Sequence, residues 1–143
     1  MTIALGADHA GFEIKQEILK SLQAKNISCM DYGTYTDDRV DYPDFAHPVA
    51  LAVEQGVADW GILVCGSGNG VAITANKHQG IRAALCWNEE IARLARQHNN
   101  ANIIAIPGRY VDKLLATKMV EEFLQTNFEG GRHESRVNKI PFC

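Results

Sequence analysis

The sequence predicts a doubly wound, Rossmann-like α/β domain, a three-layer α/β/α sandwich, and three observations carry the prediction. Short apolar runs of strand length alternate with longer stretches whose apolar residues recur at helical spacing. The 143 residues match one ordinary domain, and 46% hydrophobic content is enough for a sizeable core. A glycine-rich turn, Cys65-Gly66-Ser67-Gly68-Asn69-Gly70, directly follows a candidate strand, where an α/β sheet places its ligand crevice.

Residues 2–5 read as a first strand, and Ile14, Ile18 and Leu22 then form the buried stripe of a helix. A second strand over 27–31 leads into a polar loop over 33–42. Phe45, Val49 and Val53 mark the next helix, which Pro48 confines to a start near Pro43 or Asp44. Residues 61–65 form a third strand, and the glycine turn opens a short helix over 71–76. A fourth strand over 81–86 precedes a helix capped by Asn88, with Ile91, Leu94 and Ala95 on one side. The fifth strand spans 102–106. A last long helix over 111–124 carries the stripe Leu114, Leu115, Met119, Val120, Phe123 and Leu124.

The net charge of −3 and a pI near 5.9 offer no general attraction for nucleic acid or an anionic membrane. No apolar run approaches the roughly 20 residues that cross a bilayer, and no secretion signal is visible at the N-terminus. Cys29, Cys65, Cys86 and Cys143 show no metal-binding or disulfide spacing, so the cytoplasm is the expected compartment.

The crevice rule gathers Ala7-Asp8-His9, residues 65–70, Trp87-Asn88 and Gly108-Arg109 at the carboxyl ends of the strands. Three glycines in the 65–70 turn allow several backbone N–H groups to converge on an anion. The turn has neither the Gly-Lys-Ser/Thr of a Walker A loop nor the GxGxxG order of a dinucleotide fingerprint. Cys65 stands at the strand–turn junction, where it is either a base favoured by neighbouring N–H groups or a small core residue. Cys86 has no such loop and reads as core. Asp8 either caps a helix or serves a polar substrate, and His9 is a donor on the same rim.

His98, near a helix C-terminus, suits either the last carbonyls or proton transfer to a sugar ring. Tyr42, with Asp41 and Asp44, lies in a loop able to line a crevice. Trp60 and Trp87 read as core or interface residues, and His47, His78 and His133 fit no metal-ligand pattern. The polar tail over 130–139 is either a solvated end or a segment with an anionic target, for Arg132 and Arg136 lie four apart and share one face of any helical turn.

These residues resemble the ribose-5-phosphate isomerase B family. The matching runs are Gly6-Ala7-Asp8-His9-Ala10-Gly11-Phe12, Asp31-Tyr32-Gly33, Asp41-Tyr42-Pro43-Asp44 and Cys65-Gly66-Ser67-Gly68-Asn69-Gly70. Ala75-Asn76-Lys77, Ile81-Arg82-Ala83-Ala84, His98-Asn99 and Arg132-His133-Glu134-Ser135-Arg136 complete them in order along nearly the whole chain. The resemblance implies one domain on a five-stranded parallel sheet, a homodimer or tetramer with sites at the subunit interface, and neither metal nor organic cofactor. It implies Cys65 as the base that moves a proton between neighbouring carbons, with Asp8 and His98 opening the ring. Ser67 and the backbone of Gly66, Gly68, Asn69 and Gly70 stabilise the enediolate. His9, Arg109, Arg132 and Arg136 bind phosphate, some from a partner subunit, and the segment over 130–143 serves the dimer or the phosphate; Tyr42 and Asn99 complete the expected substrate contacts. Cys65 with Ala75 marks the cysteine type rather than the subgroup that uses a glutamate. The family commonly has an apolar residue at the position of Asn69, a departure that bears on substrate preference.

The expected substrate is a five-carbon sugar phosphate. Allose 6-phosphate or galactose 6-phosphate is the enzymatic alternative, distinguished by pocket length. A noncatalytic phosphosugar-binding module is the other, opposed by the joint presence of Cys65, Asp8 and His98.

Overall fold

The structure, a computed structural model, describes residues 1–142. Its strands are β1 (Thr2–Ala7), β2 (Ser28–Asp31), β3 (Trp60–Cys65), β4 (Ala83–Leu85) and β5 (Ile103–Pro107). The helices are α1 (Phe12–Ala24), α2 (Pro43–Glu54), α3 (Asn69–Ala75), α4 (Glu89–Asn99) and α5 (Lys113–Gln125). A 3₁₀ turn at Gly131–His133 then runs into a one-turn helix, α6 (Glu134–Val137). All strands pair in parallel in the order β2-β1-β3-β5-β4. Strand order therefore reverses between β1 and β3, and their carboxyl ends frame the crevice.

Alternating strand residues build two cores. Ile3, Leu5, Ala7, Ile62, Val64, Ile104 and Ile106 join Ile14 and Ile18 of α1, Ala92 and Ala95 of α4, and Met119 and Phe123 of α5. Ala4, Leu63, Cys65, Ile103 and Ala105 join Ala46 and Val49 of α2 and Val71 and Ala75 of α3. With helices on both faces, the strands read as continuous apolar runs instead of alternating with polar residues. A fully buried side chain such as Phe123 contributes about 1.5–3 kcal/mol. Asn88 and Asp112 cap α4 and α5, accepting from Ile91 N at 2.8 Å and Leu115 N at 2.7 Å.

Several expectations shift. Strand β1 runs on to Ala7, whereas β4 shrinks to three residues because it is an edge strand held only by β5. In α4 the buried face is Ala92, Ala95 and Arg96, with Ile91 and Leu94 only half-buried. Leu114 leaves the predicted stripe of α5 and is 65% exposed, as the second residue of the helix and off its core face. The tail is two helical turns anchored by buried His133 and Val137.

Two charges lie inside the layers. Lys15 is fully buried on the core side of α1, its Nζ 2.7 and 2.8 Å from the two carboxylate oxygens of Asp31 at the end of β2. Arg96 lies 4.2 Å over the Trp60 ring and donates to the carbonyls of Ala101 (2.6 Å) and Thr126 (3.2 Å) and to Asn100 Oδ1 (2.9 Å). Burial, then the charge of Arg82, pulls the Arg96 pKa down, and carbonyl dipoles at the C-terminus of α4 provide its compensation.

Candidate active site

A cavity of about 530 Å³ opens where β1 and β3 end, lined by Asp8, His9, Tyr42, Cys65, Gly66, Ser67, Asn69, Gly70 and Arg109, with Ile73 and Tyr110 at its rim. Cys65 is the last residue of β3 and faces the α2/α3 layer, so it ends the core and begins the cavity wall, 4% exposed. The expected choice between core residue and site residue is thus a false one, since the thiol occupies both positions.

Gly68 turns the chain between Cys65 and α3. Its φ of +75° belongs to the left-handed region, and a Cβ there would stand 2.4 Å from Leu85 Cδ1. Gly68 is buried beneath the loop and shapes the cavity without lining it. The loop is stitched to the end of β5, where Gly108 N donates to Cys65 O (2.8 Å) and Arg109 N to Gly66 O (3.0 Å). This brings the Arg109 side chain against Gly66, its guanidinium nitrogen 3.1 Å from where a Cβ would be. Ser67 Oγ accepts from Asn69 N at 3.3 Å. The first turn of α3 otherwise offers N–H groups without intrahelical partners, a ready cradle for an oxyanion.

Across the crevice, Asp8 is 7% exposed and its Oδ1 accepts from Ala10 N (2.9 Å) and Gly11 N (3.1 Å). It therefore does tie down the start of α1, although Gly11, not Asp8, is the capping position. His9 Nδ1 accepts from Val40 N at 3.2 Å, which assigns its proton to Nε2 and fixes the ring against the 33–42 loop. Tyr42 lies over Gly70 so closely that a Cβ there would be 2.6 Å from the phenol ring.

Trp87 and Asn88 do not join this crevice. β4 lies outside β5, two strands from β3, so its carboxyl end points to the same edge of the sheet but lies to one side of the cavity, and Trp87 is 53% exposed. His98, Asn99, Arg132 and Arg136 do not join it either. Helix α4 returns antiparallel to the strands, and its end is tied to the entrance of β5 by the bond from Ala101 N to Ala95 O. The register pairs Gly61 with Ile103 and Cys65 with Pro107, so those levels are about 13 Å apart along the sheet.

At that far end a second cluster forms. The His98 and His133 rings stack with centroids 4.3 Å apart and planes 14° from parallel, and His98 Nε2 is 3.5 Å from Glu129 Oε1. Arg132 and Arg136 project from the adjoining turns as exposed cations. Burial, then His98 and Arg132, hold the His133 pKa below its usual range, Glu129 opposing and Arg136 adding to the downward pull. Among the described residues, His98, Glu129 and His133 are the one group of three possible metal ligands, which no sequence spacing revealed.

Sequence reasoning missed three further participants. Val40 holds His9, and Asp31, bound to Lys15, accepts from Gly33 N at 2.9 Å at the root of the loop carrying Val40 and Tyr42. Glu129 was silent too. The run Asp31-Tyr32-Gly33 was the visible signal for the second. Cys86, read as core, is fully buried, and burial pushes its thiol up to about 12.

The chain matches the Ribose/Galactose Isomerase family over residues 3–140. It belongs to that family. Ribose-5-phosphate isomerase B of Escherichia coli (strain K12) is 46% identical over 138 residues, covering 96% of this chain and 93% of the relative. The solved structure of a ribose 5-phosphate isomerase from Thermotoga maritima is 50% identical with a TM-score of 0.96, covering 98% of this chain and 97% of that one. That of ribose-5-phosphate isomerase B from Mycoplasma genitalium, with bound ribulose-5-phosphate, is 45% identical with a TM-score of 0.93, covering 97% and 93%. Among the described residues of this isomerase-family chain, no helix is long and apolar enough to cross a membrane.

Proposed function

We propose that this protein interconverts ribose 5-phosphate and ribulose 5-phosphate, with Cys65 as the base. The observation that carries the reading is the placement of Cys65 in the wall of the β1/β3 crevice, beside the glycine loop and in the same cavity as Asp8 and His9. Kinship with proteins named ribose-5-phosphate isomerase B, one solved with ribulose-5-phosphate bound, supports the substrate.

Ring opening takes a proton from the anomeric hydroxyl, breaks the ring C–O bond and returns a proton to the ring oxygen, the work of Asp8 and His98. The Cys65 thiolate then removes the proton from C2 of the open aldose, giving a cis-enediolate. The same group delivers that proton to C1 while the hydroxyl proton moves from O2 to O1, leaving the ketose. Negative charge on the enediolate oxygens faces Ser67 and the amides over 66–70, donors fixed before the reaction begins. His9 and Arg109 hold the phosphate together with Arg132 and Arg136, whose binding energy aligns the reacting carbons.

This mechanism needs His98, Arg132 and Arg136 at the Cys65 crevice, whereas within one chain they lie at the opposite end of the sheet. A homodimer, alone or within a tetramer, supplies them from a second copy. Ile73 and Tyr110, 63% and 78% exposed at the cavity rim, form the kind of apolar border that a partner covers. No metal or organic cofactor enters any step, and the net charge of −3 suits the cytoplasm.

The test is the conversion rate of ribose 5-phosphate by the unmodified protein, with allose 6-phosphate run alongside. Preferred pentose turnover is expected. A strong hexose preference keeps the chemistry and overturns the substrate, and activity on neither overturns the isomerase reading.

A further inference from the structure

The Glu129 carboxylate has no part in the proposed chemistry, yet the local backbone is arranged to bring it to His98. Glu129 N donates to Gln97 O at 3.1 Å, and Arg96 donates to Thr126 O at 3.2 Å, so the segment after α5 is fastened along the last turn of α4. Gly130 and Gly131 then both take positive φ, +67° and +55°, and reverse the chain. A Cβ at either would meet nothing within 4 Å, so the conformation, and not crowding, calls for glycine there. The bond to Gln97 O places Glu129 on the Nε2 edge of His98, and the reversal that follows brings His133 onto its ring face.

His133 is 8% exposed, and its Nε2 is buried without a hydrogen-bond partner. A neutral imidazole tolerates that position and a charged one does not. An imidazolium formed on His98 thus stacks on a neutral ring and meets the carboxylate 3.5 Å from its Nε2. The other charges near the pair are Arg132 and Arg136, which leave Glu129 as its one anion among the groups acting on His133.

We propose that Glu129 is a positioning residue for the ring-opening step, orienting the His98 imidazole and balancing the charge it takes up, with His133 as the stacking wall. This rests on the assignment of His98 to ring opening. The pair is exposed, with side chains 37% and 47% accessible, so its contribution lies in the orientation of His98 and hardly in stability.

The experiment compares the unmodified protein with Glu129→Gln and Glu129→Asp, by steady-state kinetics on ribose 5-phosphate and by ¹⁵N spectra of the histidine rings in the ligand-free protein. Glu129→Gln is expected to lower kcat about 10- to 100-fold, the scale of a lost acid–base contribution, with KM within about twofold and Tm unchanged. Its His98 ring-nitrogen signals should move while those of His9 stay in place. Glu129→Asp, which keeps the charge one methylene further back, should fall between, and it carries the test if Glu129→Gln does not fold. Unchanged kcat, a loss confined to KM, or unmoved His98 signals overturns the proposal. An inactive unmodified protein instead defeats the isomerase reading, and the ring spectra still report whether Glu129 orients His98.

Discussion

The buried pair Lys15–Asp31 makes an asymmetric prediction. Asp31→Ala leaves the Lys15 ammonium, whose side chain is fully buried, with only Gln16 Oε1 at 3.0 Å and the faces of the Phe12 and Tyr35 rings, each 5.7 Å from Nζ. Removing one partner of a buried pair costs about 3–5 kcal/mol, and the full burial of Lys15 places this case in that range. Lys15→Met keeps most of the aliphatic stem. It leaves a carboxylate that is 21% exposed and still accepts from Gly33 N, so the cost should be about 1–2 kcal/mol. The two variants should differ by about 2 kcal/mol, or about 1 M in urea midpoint at a slope of about 2 kcal/mol/M. Urea unfolding at one fixed protein concentration measures this, since subunit association would otherwise enter. Equal midpoints, or a less stable Lys15→Met, would refute the reasoning.

Other perturbations address the site and the core. Gly68→Ala combines a φ of +75° with a Cβ 2.4 Å from Leu85 Cδ1, so it should cost at least about 2 kcal/mol and abolish turnover, read by Tm and kcat together. Cys86 has a folded-state pKa of about 12 against an ordinary 9.0, so the unfolded chain ionises first and stability falls as pH rises from about 9 to 12. By pH 10.5 that loss amounts to about 2 kcal/mol, and it should be absent from Cys86→Ala when both proteins are unfolded at pH 8 and 10.5. Arg136→Ala should weaken ribose 5-phosphate far more than unphosphorylated ribose in competition assays, and equal effects would make the tail structural. At a ribose 5-phosphate concentration too low to saturate Arg136→Ala, mixing it with Cys65→Ala should raise turnover above that of either variant alone, since one hybrid site receives both intact groups.

Much of the fold was legible because both faces of the sheet are covered, which makes each strand a short apolar run against the helical spacing of its neighbours. Lateral strand order was not legible: periodicity says which residues are buried, not which strand lies beside which. Trp87 was therefore expected at a crevice from which β4, outside β5, excludes it. The glycine loop, Asp8, His9 and Arg109 could be placed together because the crevice rule depends only on strand ends. Lys15 escaped notice because its charge hides a core position whose counterion arrives from β2. Glu129 was equally hidden, since a long-range backbone bond from its N–H to Gln97 O brings it to His98. The separation of His98 and the two arginines from Cys65 needed three dimensions, because it follows from the direction in which α4 returns along the sheet.

The most direct measurement is the ribose 5-phosphate to ribulose 5-phosphate rate of Cys65→Ala beside the unmodified protein, with folding and phosphate affinity measured on the same samples. A native Tm within a few degrees, phosphate binding largely retained and turnover reduced to nearly nothing are expected of the variant. Comparable turnover in the variant would contradict this expectation, and would mean that another group carries the proton between the two carbons.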